Sequence, residues 1–592
     1  MSPHSMRCSS RANRFNLTLF QQAQPTTLLQ GKDLQLKLAP TLGETLNNEP
    51  GVSATSFGPG ASRPIVRGLG EDRVRVMQNG TSVIDVSNVS PDHAVATDPL
   101  TIRSVEVVRG PATLLYGPNT IGGVVNVIDD RIPQERFTAT YPTGKFETSV
   151  GSADELFSQA GALTWGAGPL VFHLDGFNRD TSDVDIPGDA RSKAFRESDP
   201  LPVGTPETRG TLPNSATESK GAGLGAAYVW DKGYLGFSHS GVDSTYGTVA
   251  EPDVTIGLRQ RRWDMRGAVY APTPWIKEIN YKLGYSDYDH TELEGSAVGT
   301  QFLIQGSNGR LELLHEKISM LEGALGYEYQ QSEFSALGAE AFLPPVENQV
   351  NSLFFVEEMP LDKFRLQFGA HYDHQTNETQ STTAFGAGLA REFDGFSTSA
   401  ALVYTPVDDY AVALSLAYTQ RPPTYVELFA NGPHLATGSH EATFHLLEAV
   451  EAAPVTDSKS PVPATPAASD PQLDLILRAD YVNAEDRSTG EPIPRIPPLR
   501  ASAALDYSIG QFDARLEGQY AFSQHRHADY ELPTEAYFLV NASISYELKL
   551  GGCDTTIYLK GTNLTNEEAR QSTSFLKDIA AGRLCGRCSS LL

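Results

Sequence analysis

The chain has 592 residues, enough for three or four ordinary domains or for one very large β architecture with a companion domain. Charged residues make up 20% and hydrophobic ones 40%, a balance that fits neither a disordered chain nor a helical membrane protein. Lys+Arg 46 against Asp+Glu 72 leaves a net charge of −26, which argues against a nucleic-acid partner because phosphate binding needs a basic surface.

No run of about 18 apolar residues occurs, so no helix is expected to span a bilayer, whereas barrel strands of about ten alternating residues remain allowed. Fifty-two Gly, 23 Tyr and 26 Phe suit strands and turns.

Residues 1–25 read as an atypical segment. Arg7, Arg11 and Arg14 imitate the charged start of a secretory signal, but the apolar stretch at 16–20 is too short for its hydrophobic part. The expectation is a removed export signal or an altered start. The next block, 34 to about 132, has α/β texture. A short helix is expected within 34–46, with Thr41 as N-cap and Glu44 at the third helical position. Short apolar β runs follow at Pro64-Ile65-Val66-Arg67-Gly68, Arg73-Val74-Arg75-Val76-Met77, Ser104-Val105-Glu106-Val107-Val108 and Gly122-Gly123-Val124-Val125-Asn126-Val127-Ile128. Asn79-Gly80 marks a tight hairpin.

From about 145 the texture becomes strands of ten or so residues with period-2 alternation, as in Tyr537-Phe538-Leu539-Val540-Asn541-Ala542-Ser543-Ile544-Ser545-Tyr546. Apolar residues alternating with small or polar ones, capped by aromatics, are what a lipid-facing strand around a wet lumen requires. The segment 441–452 has helix-forming composition, and prolines at 454, 461, 463 and 466 follow it. The region 439–470 therefore reads as a helical and flexible insert that a continuous barrel should not contain. Cys8, Cys553, Cys585 and Cys588 are too few and too scattered for a disulfide framework, and one Cys585-Gly-Arg-Cys588 pair is a weak metal signal.

Short turns and long loops should alternate between the two barrel ends. With the turns at Pro274-Trp275, Val407-Asp408-Asp409 and Ile509-Gly510 on the periplasmic side, the segments bearing His290, His434 and His525/His527 all reach the exterior. His173, His239, His315 and His371 read as lumen-facing strand residues, and His374 is left undecided.

The block up to 134 resembles the plug of a TonB-dependent outer-membrane receptor. The resemblance rests on the Pro64–Gly68 and Arg73–Gly80 runs, on Ile102-Arg103-Ser104-Val105-Glu106-Val107-Val108-Arg109-Gly110-Pro111-Ala112-Thr113-Leu114-Leu115-Tyr116-Gly117, and on Gly122–Ile128. It implies a mostly β fold: a plug at 26–134 inside a large antiparallel transmembrane β-barrel of about 18–22 strands at 135–592. Within the family, Ser90-Pro91-Asp92-His93 resembles the zinc-uptake members. That resemblance implies a metal site of Asp92 and His93 from the plug, with Glu292 and His434 from the barrel, all nitrogen and oxygen donors suited to zinc. Glu294 and His290 share the parity of Glu292, and His525 and His527 are auxiliary candidates.

The implied protein is no enzyme and uses no catalytic cofactor. It is a monomer in the bacterial outer membrane, in contact with outer-membrane lipid, that imports zinc or a similar divalent metal with energy from a TonB-type inner-membrane protein. Three departures weigh against a working transporter: no TonB-contacting segment in 1–25, the 439–470 insert, and an atypical tail at 580–592 that puts barrel closure in doubt. A receptor for a metal chelate, siderophore or other organic ligand, or a non-transporting degraded relative, are the alternatives.

Overall fold

The computed structural model describes residues 24–579, except 111–112, 118–119, 339–340, 408–409, 435–438, 443–448, 452–454, 459–470, 486–489 and 551–552. The strands between 432 and 458, and the strand Arg587–Leu591, are described by their backbone.

The N-terminal domain is a five-stranded sheet in the order Thr26–Gln30, Ser104–Arg109, Gly123–Ile128, Val74–Gln78, Thr81–Ser82. Val74–Gln78 runs parallel to Gly123–Ile128, and the other pairs are antiparallel. The two central strands are buried along their whole length, which explains their unbroken Val-rich character. The hairpin at Asn79-Gly80 holds φ of 55° and 83°, the pair of positive values that a type I′ turn demands and that Asn-Gly tolerates best. The short helix expected within 34–46 behind Thr41 is Leu42–Leu46, and a further helix, Gly31–Lys37, precedes it. Pro40 disfavours helical geometry in the residue before it, so the chain breaks there. Thr41 caps the second helix as expected, accepting a hydrogen bond from the Glu44 amide at 3.4 Å.

Most of the remaining described residues form one antiparallel wall that surrounds this domain. Its ladder runs without interruption from Gln472–Asp480 through Arg587–Leu591 and Thr143–Val150 to Tyr410–Gln420. Strand order then returns on itself through Ala449–Glu451 and Val455–Ser458, both of which pair with Tyr410–Gln420. Counting those two short pieces as one position gives twenty positions among the described residues, inside the expected range.

Two expectations are corrected here. The segment 441–452 is not helical at its described ends, because Ser439–Ala442 and Ala449–Glu451 are strands, and 459–470 lies outside the described residues. The atypical tail that put barrel closure in doubt contributes a strand: Arg587–Leu591 pairs with Cys553–Gly561 on one side and Thr143–Val150 on the other. For Ala449–Glu451 and Arg587–Leu591, which add to the wall, an open strand edge in lipid would leave backbone groups unbonded at several kcal/mol each, which outweighs local propensity. Ser439–Ala442 pairs instead with Asn431–His434 in a separate two-stranded sheet. Cys585 and the side chain of Cys588 lie outside the described residues.

Alternation holds along the wall. On Val254–Thr273 the successive inward residues Gln260, Arg262, Asp264 and Arg266 are buried, while Trp263 faces out. Outward positions elsewhere carry Leu224, Phe237, Leu283 and Tyr285, an apolar belt for lipid. The same parity corrects two histidines. His239 lies on the outward face against Trp263 (ring centroids 4.7 Å), and His315 shares the outward parity near a turn, 3.1 Å from Glu357. His173 and His371 are buried and inward, and His374 faces out beside Asp394 at 3.0 Å.

Arginines fasten the inner domain to the wall. Arg262 donates to the Ser82 carbonyl (3.1 Å) and Thr81 Oγ1 (2.7 Å) while paired to Asp264 at 2.8 Å. Arg131 grips Asp175, Arg179 grips Asp98, and Arg500 reaches the Val52 carbonyl at 2.9 Å. Arg262→Ala should strand the Asp264 charge in the interior and cost about 3–5 kcal/mol. The measurement is the denaturant midpoint of the purified protein in detergent, together with the rate of proteolysis within residues 74–128; both should shift toward lower stability.

Candidate metal centre

The long strand Ile276–Glu294 carries the wall's share of the site. Its residues 288, 290 and 292 point inward by parity, and Tyr288, His290 and Glu292 are buried. The strand does not end near Asp287 in a loop but continues to Glu294, rising past the length that about ten tilted residues need to cross a bilayer. Opposite Glu292 the ladder slips: Thr291 pairs with Gln301 and Leu293 with Val298, so Gly299 and Thr300 face one residue. Such a bulge re-aims the side chain beside it.

The inner domain supplies a tight turn, Ser90-Pro91-Asp92-His93, closed by the His93 amide on the Ser90 carbonyl at 3.2 Å. Proline at its second position presets the backbone for this turn. His93 is 1% exposed and His290 0%, with ring centroids 4.1 Å apart. Phe302 packs edge-on against both rings.

Each imidazole is tied by one nitrogen and bare at the other. His93 Nδ1 lies 3.0 Å from the Val86 carbonyl, so it is the protonated, donating nitrogen. His290 Nδ1 lies 3.2 Å from the Tyr288 hydroxyl. The Nε2 atoms of both rings are buried without a hydrogen-bond partner. Burying such an atom unpaired costs about 1–3 kcal/mol, so two in one place point to a missing partner.

Both bare nitrogens face Glu292, whose Oε1 stands 3.5 Å from His93 Nε2 and 3.8 Å from His290 Nε2. The three ligand atoms all fall within 4.8 Å of one another. Donors bound tetrahedrally at zinc distances stand roughly 3.3 Å apart, so the two histidine–carboxylate distances are already within about half an ångström of that spacing, and the widest pair would have to close by about 1.5 Å. Asp92 Oδ2 is 3.9 Å from His93 Nε2, and Ser90 Oγ donates to the other carboxylate oxygen. Burial opposes a charge on His93, but Asp92, Glu292 and the Val86 carbonyl outweigh it and hold its pKa above the usual imidazole value.

The structure thus brings Asp92, His93, His290 and Glu292 together. His290, only an auxiliary candidate by sequence, is one of the trio. Glu294, the fallback for Glu292, is exposed and outside the trio. His525 is exposed and His527 bonds to the Ala528 carbonyl at 2.9 Å, so neither joins the cluster. His434 ends the strand Asn431–His434, and its side chain lies outside the described residues. The supporting roles of Tyr288 and Phe302 have no sequence signal beyond the parity that Tyr288 shares with His290.

Comparison with known proteins agrees with the architecture. Residues 18–124 match the TonB-dependent Receptor Plug Domain, and 164–474 with 467–564 match the TonB-dependent receptor-like β-barrel. The chain belongs to the TonB-dependent receptor family. A hemin receptor of Yersinia pestis is 22% identical over 439 residues, 70% of this chain and 60% of that protein. The vitamin B12 transporter BtuB of Photobacterium profundum is 30% identical over 159 residues, 26% of this chain and 25% of its own. The matches therefore span less than two thirds of either relative.

Among solved structures, the copper transporter OprC superposes with a TM-score of 0.76 at 14% identity, covering 96% of this chain and 98% of its own. The ferric yersiniabactin uptake receptor FyuA of Yersinia pestis gives 0.69 at 14% identity, covering 96% and 97%. At these identities the likeness shows the receptor fold alone.

Glu292→Gln keeps the shape of this TonB-dependent receptor's trio but removes the charge between the two imidazoles. It should weaken divalent-ion binding by more than about tenfold, since loss of even an outer partner of a metal ligand costs that much. Calorimetric titration of the purified receptor with zinc chloride measures it.

Proposed function

We propose that this receptor captures a divalent metal ion, zinc first, at the outer end of its lumen and imports it through the plugged barrel of the bacterial outer membrane. Energy would come from a TonB-type inner-membrane protein, and no bond is made or broken in the cargo. The observation that carries the reading is the pair of orphaned imidazole nitrogens converging on one carboxylate at the boundary between plug and wall. Nitrogen and oxygen donors without sulfur suit Zn²⁺.

The division of ligands supplies a release step. Asp92 and His93 belong to the plug, His290 and Glu292 to the wall. Any displacement of the plug turn lengthens ligand distances across the boundary and lowers affinity. The negative balance of −26 would raise the local cation concentration at the entrance.

Cu²⁺ is the second reading, because the same donors accept it and its intrinsic affinity for such sites exceeds that of zinc. Import of a metal chelate, siderophore or other organic ligand, as the names of the hemin and vitamin B12 relatives suggest for those proteins, fits the family equally. Against it stands the burial of His93 and His290, at 1% and 0% exposure, which leaves space for an ion beside them rather than a large ligand. A degraded, non-transporting relative is the remaining alternative.

Uptake of zinc by cells expressing the receptor, beside an Asp92→Ala/His93→Ala double variant, separates these readings. Zinc accumulation that depends on both side chains and on the inner-membrane energy source is the expected result. Copper accumulation alone, chelate accumulation alone, or none would each select an alternative.

Binding should also depend on pH. A metal must displace the proton from His93, and the raised pKa of that ring means protons compete from above pH 6.5 downward. Zinc affinity should therefore fall as pH is lowered from 8 toward about 5.5, where the histidine range has been crossed, and proton release on binding should grow over the same interval, both readable by calorimetry in buffers of different ionisation heat.

A further inference from the structure

Tyr246 closes the wall strand Gly233–Gly247 one position before its end, and it is 2% exposed. Its phenol does two things to one plug turn. It donates a hydrogen bond to the Asp92 carbonyl at 3.0 Å and accepts one from the Ala94 amide at 3.0 Å. The residue between them is His93. The side chain of Tyr246 also rests on Gly60 of a second plug loop, so closely that a Cβ at position 60 would stand 2.5 Å from it. One wall side chain thus grips the backbone on both sides of a metal-ligand candidate while a glycine makes room for its ring.

Other plug–wall joints hold elements away from the cluster. Arg262 and Asn308 seize Ser82, Arg131 takes Asp175, and Arg179 takes Asp98. His93 itself is steadied within the plug by the Val86 carbonyl, which orients its ring but not its distance from the wall. Phe302 of the wall packs against the His93 ring, while Tyr246 is the wall group that hydrogen-bonds to the backbone of the turn itself.

We propose that Tyr246 is a positioning residue: the latch by which the wall holds the Asp92–Ala94 turn in register with His290 and Glu292, so that its two hydrogen bonds must break before the plug half of the site can leave the wall half. The latch deepens the metal-capture reading and, as a release element, rests on it. Its geometry stands without a metal. Because the phenol bonds to backbone, the grip does not depend on the protonation of the ligands it aligns. It adds a threshold to plug movement: a small shift keeps both bonds, and a larger one loses them together with the ligand set.

The test uses the full-length receptor in detergent and the variant Tyr246→Phe, which keeps the ring on Gly60 and deletes only the hydroxyl. Two readouts are taken. Without metal, hydrogen–deuterium exchange across 90–97 should quicken by about tenfold at Ala94, while amides of the strand Ser104–Arg109 and the thermal midpoint of the barrel stay as in the unmodified protein. With zinc chloride, affinity should fall by about tenfold, the loss expected for one to two hydrogen bonds, with unchanged stoichiometry; His93→Ala should instead abolish the site.

Unchanged exchange at Ala94 overturns the latch, whatever zinc does. Faster exchange with unchanged zinc affinity also overturns it as a positioning device. If the unmodified receptor binds no zinc, the metal reading fails, and the exchange arm alone then decides whether Tyr246 holds the turn. Exchange that rises throughout 104–109 as well marks general unfolding and counts against the latch, whose required signature is a change confined to 90–97.

Discussion

Enclosing a folded domain within a barrel takes water away from two polar surfaces at once. Every inward donor or acceptor of the wall must then find a partner, on the plug or on a neighbouring wall side chain as Arg262 does with Asp264, or be left buried at a cost of a few kcal/mol. The wall residues Gln260, Arg262 and Arg266 obey that constraint by reaching the Ile84 carbonyl, Ser82 and Asp129 respectively. Lipid imposes the opposite demand on the outer face, where Phe237, Trp263 and Leu283 stand. A strand that must satisfy both has little choice but strict alternation.

Against that background the two imidazoles stand out. The Nε2 atoms of His93 and His290 have no partner, although nearly every polar group around them is tied: Asp92 to Ser90, Tyr288 to His290 Nδ1, the Val86 carbonyl to His93. An unfilled pair beside a carboxylate, assembled from two separate parts of the chain, has the arrangement of a site that is completed by something arriving from outside. The same division makes it a site that can be opened by moving one part.

Much of this is legible in the chain. The continuous apolar runs at 104–108 and 123–128, Asn79-Gly80 and the Thr41 cap foretell the inner sheet, its hairpin and a helix start, because each depends on a few adjacent residues. Asp92, His93 and Glu292 are singled out by the family resemblance of their segments rather than by any local pattern. Features set by distant contact are not legible in this way. Within the segment 441–452, whose composition is helical, the described residues Ala449–Glu451 are a strand paired with Tyr410–Gln420. His239 and His315 lie on the outer face against expectation, because strand register is fixed by neighbouring strands rather than by the residues beside them. His525 and His527 reach the same end of the barrel as the cluster but not the cluster itself, since sharing an end fixes height and leaves position around the circumference open.

The linear sequence by itself determined the family, the alternation of the wall, the turn that presents Asp92 and His93, and the parity that puts His290 and Glu292 on one face. These follow from local backbone geometry and a period of two, which are written in neighbouring residues. Tertiary structure alone decided that Glu292 rather than Glu294 faces His93 with His290 beside it, that Arg587–Leu591 pairs with Thr143–Val150, and that Tyr246 meets the plug turn. Those outcomes depend on how one closed wall is rotated and raised around its plug, a rigid-body fit to which hundreds of residues contribute and which no short stretch of chain encodes.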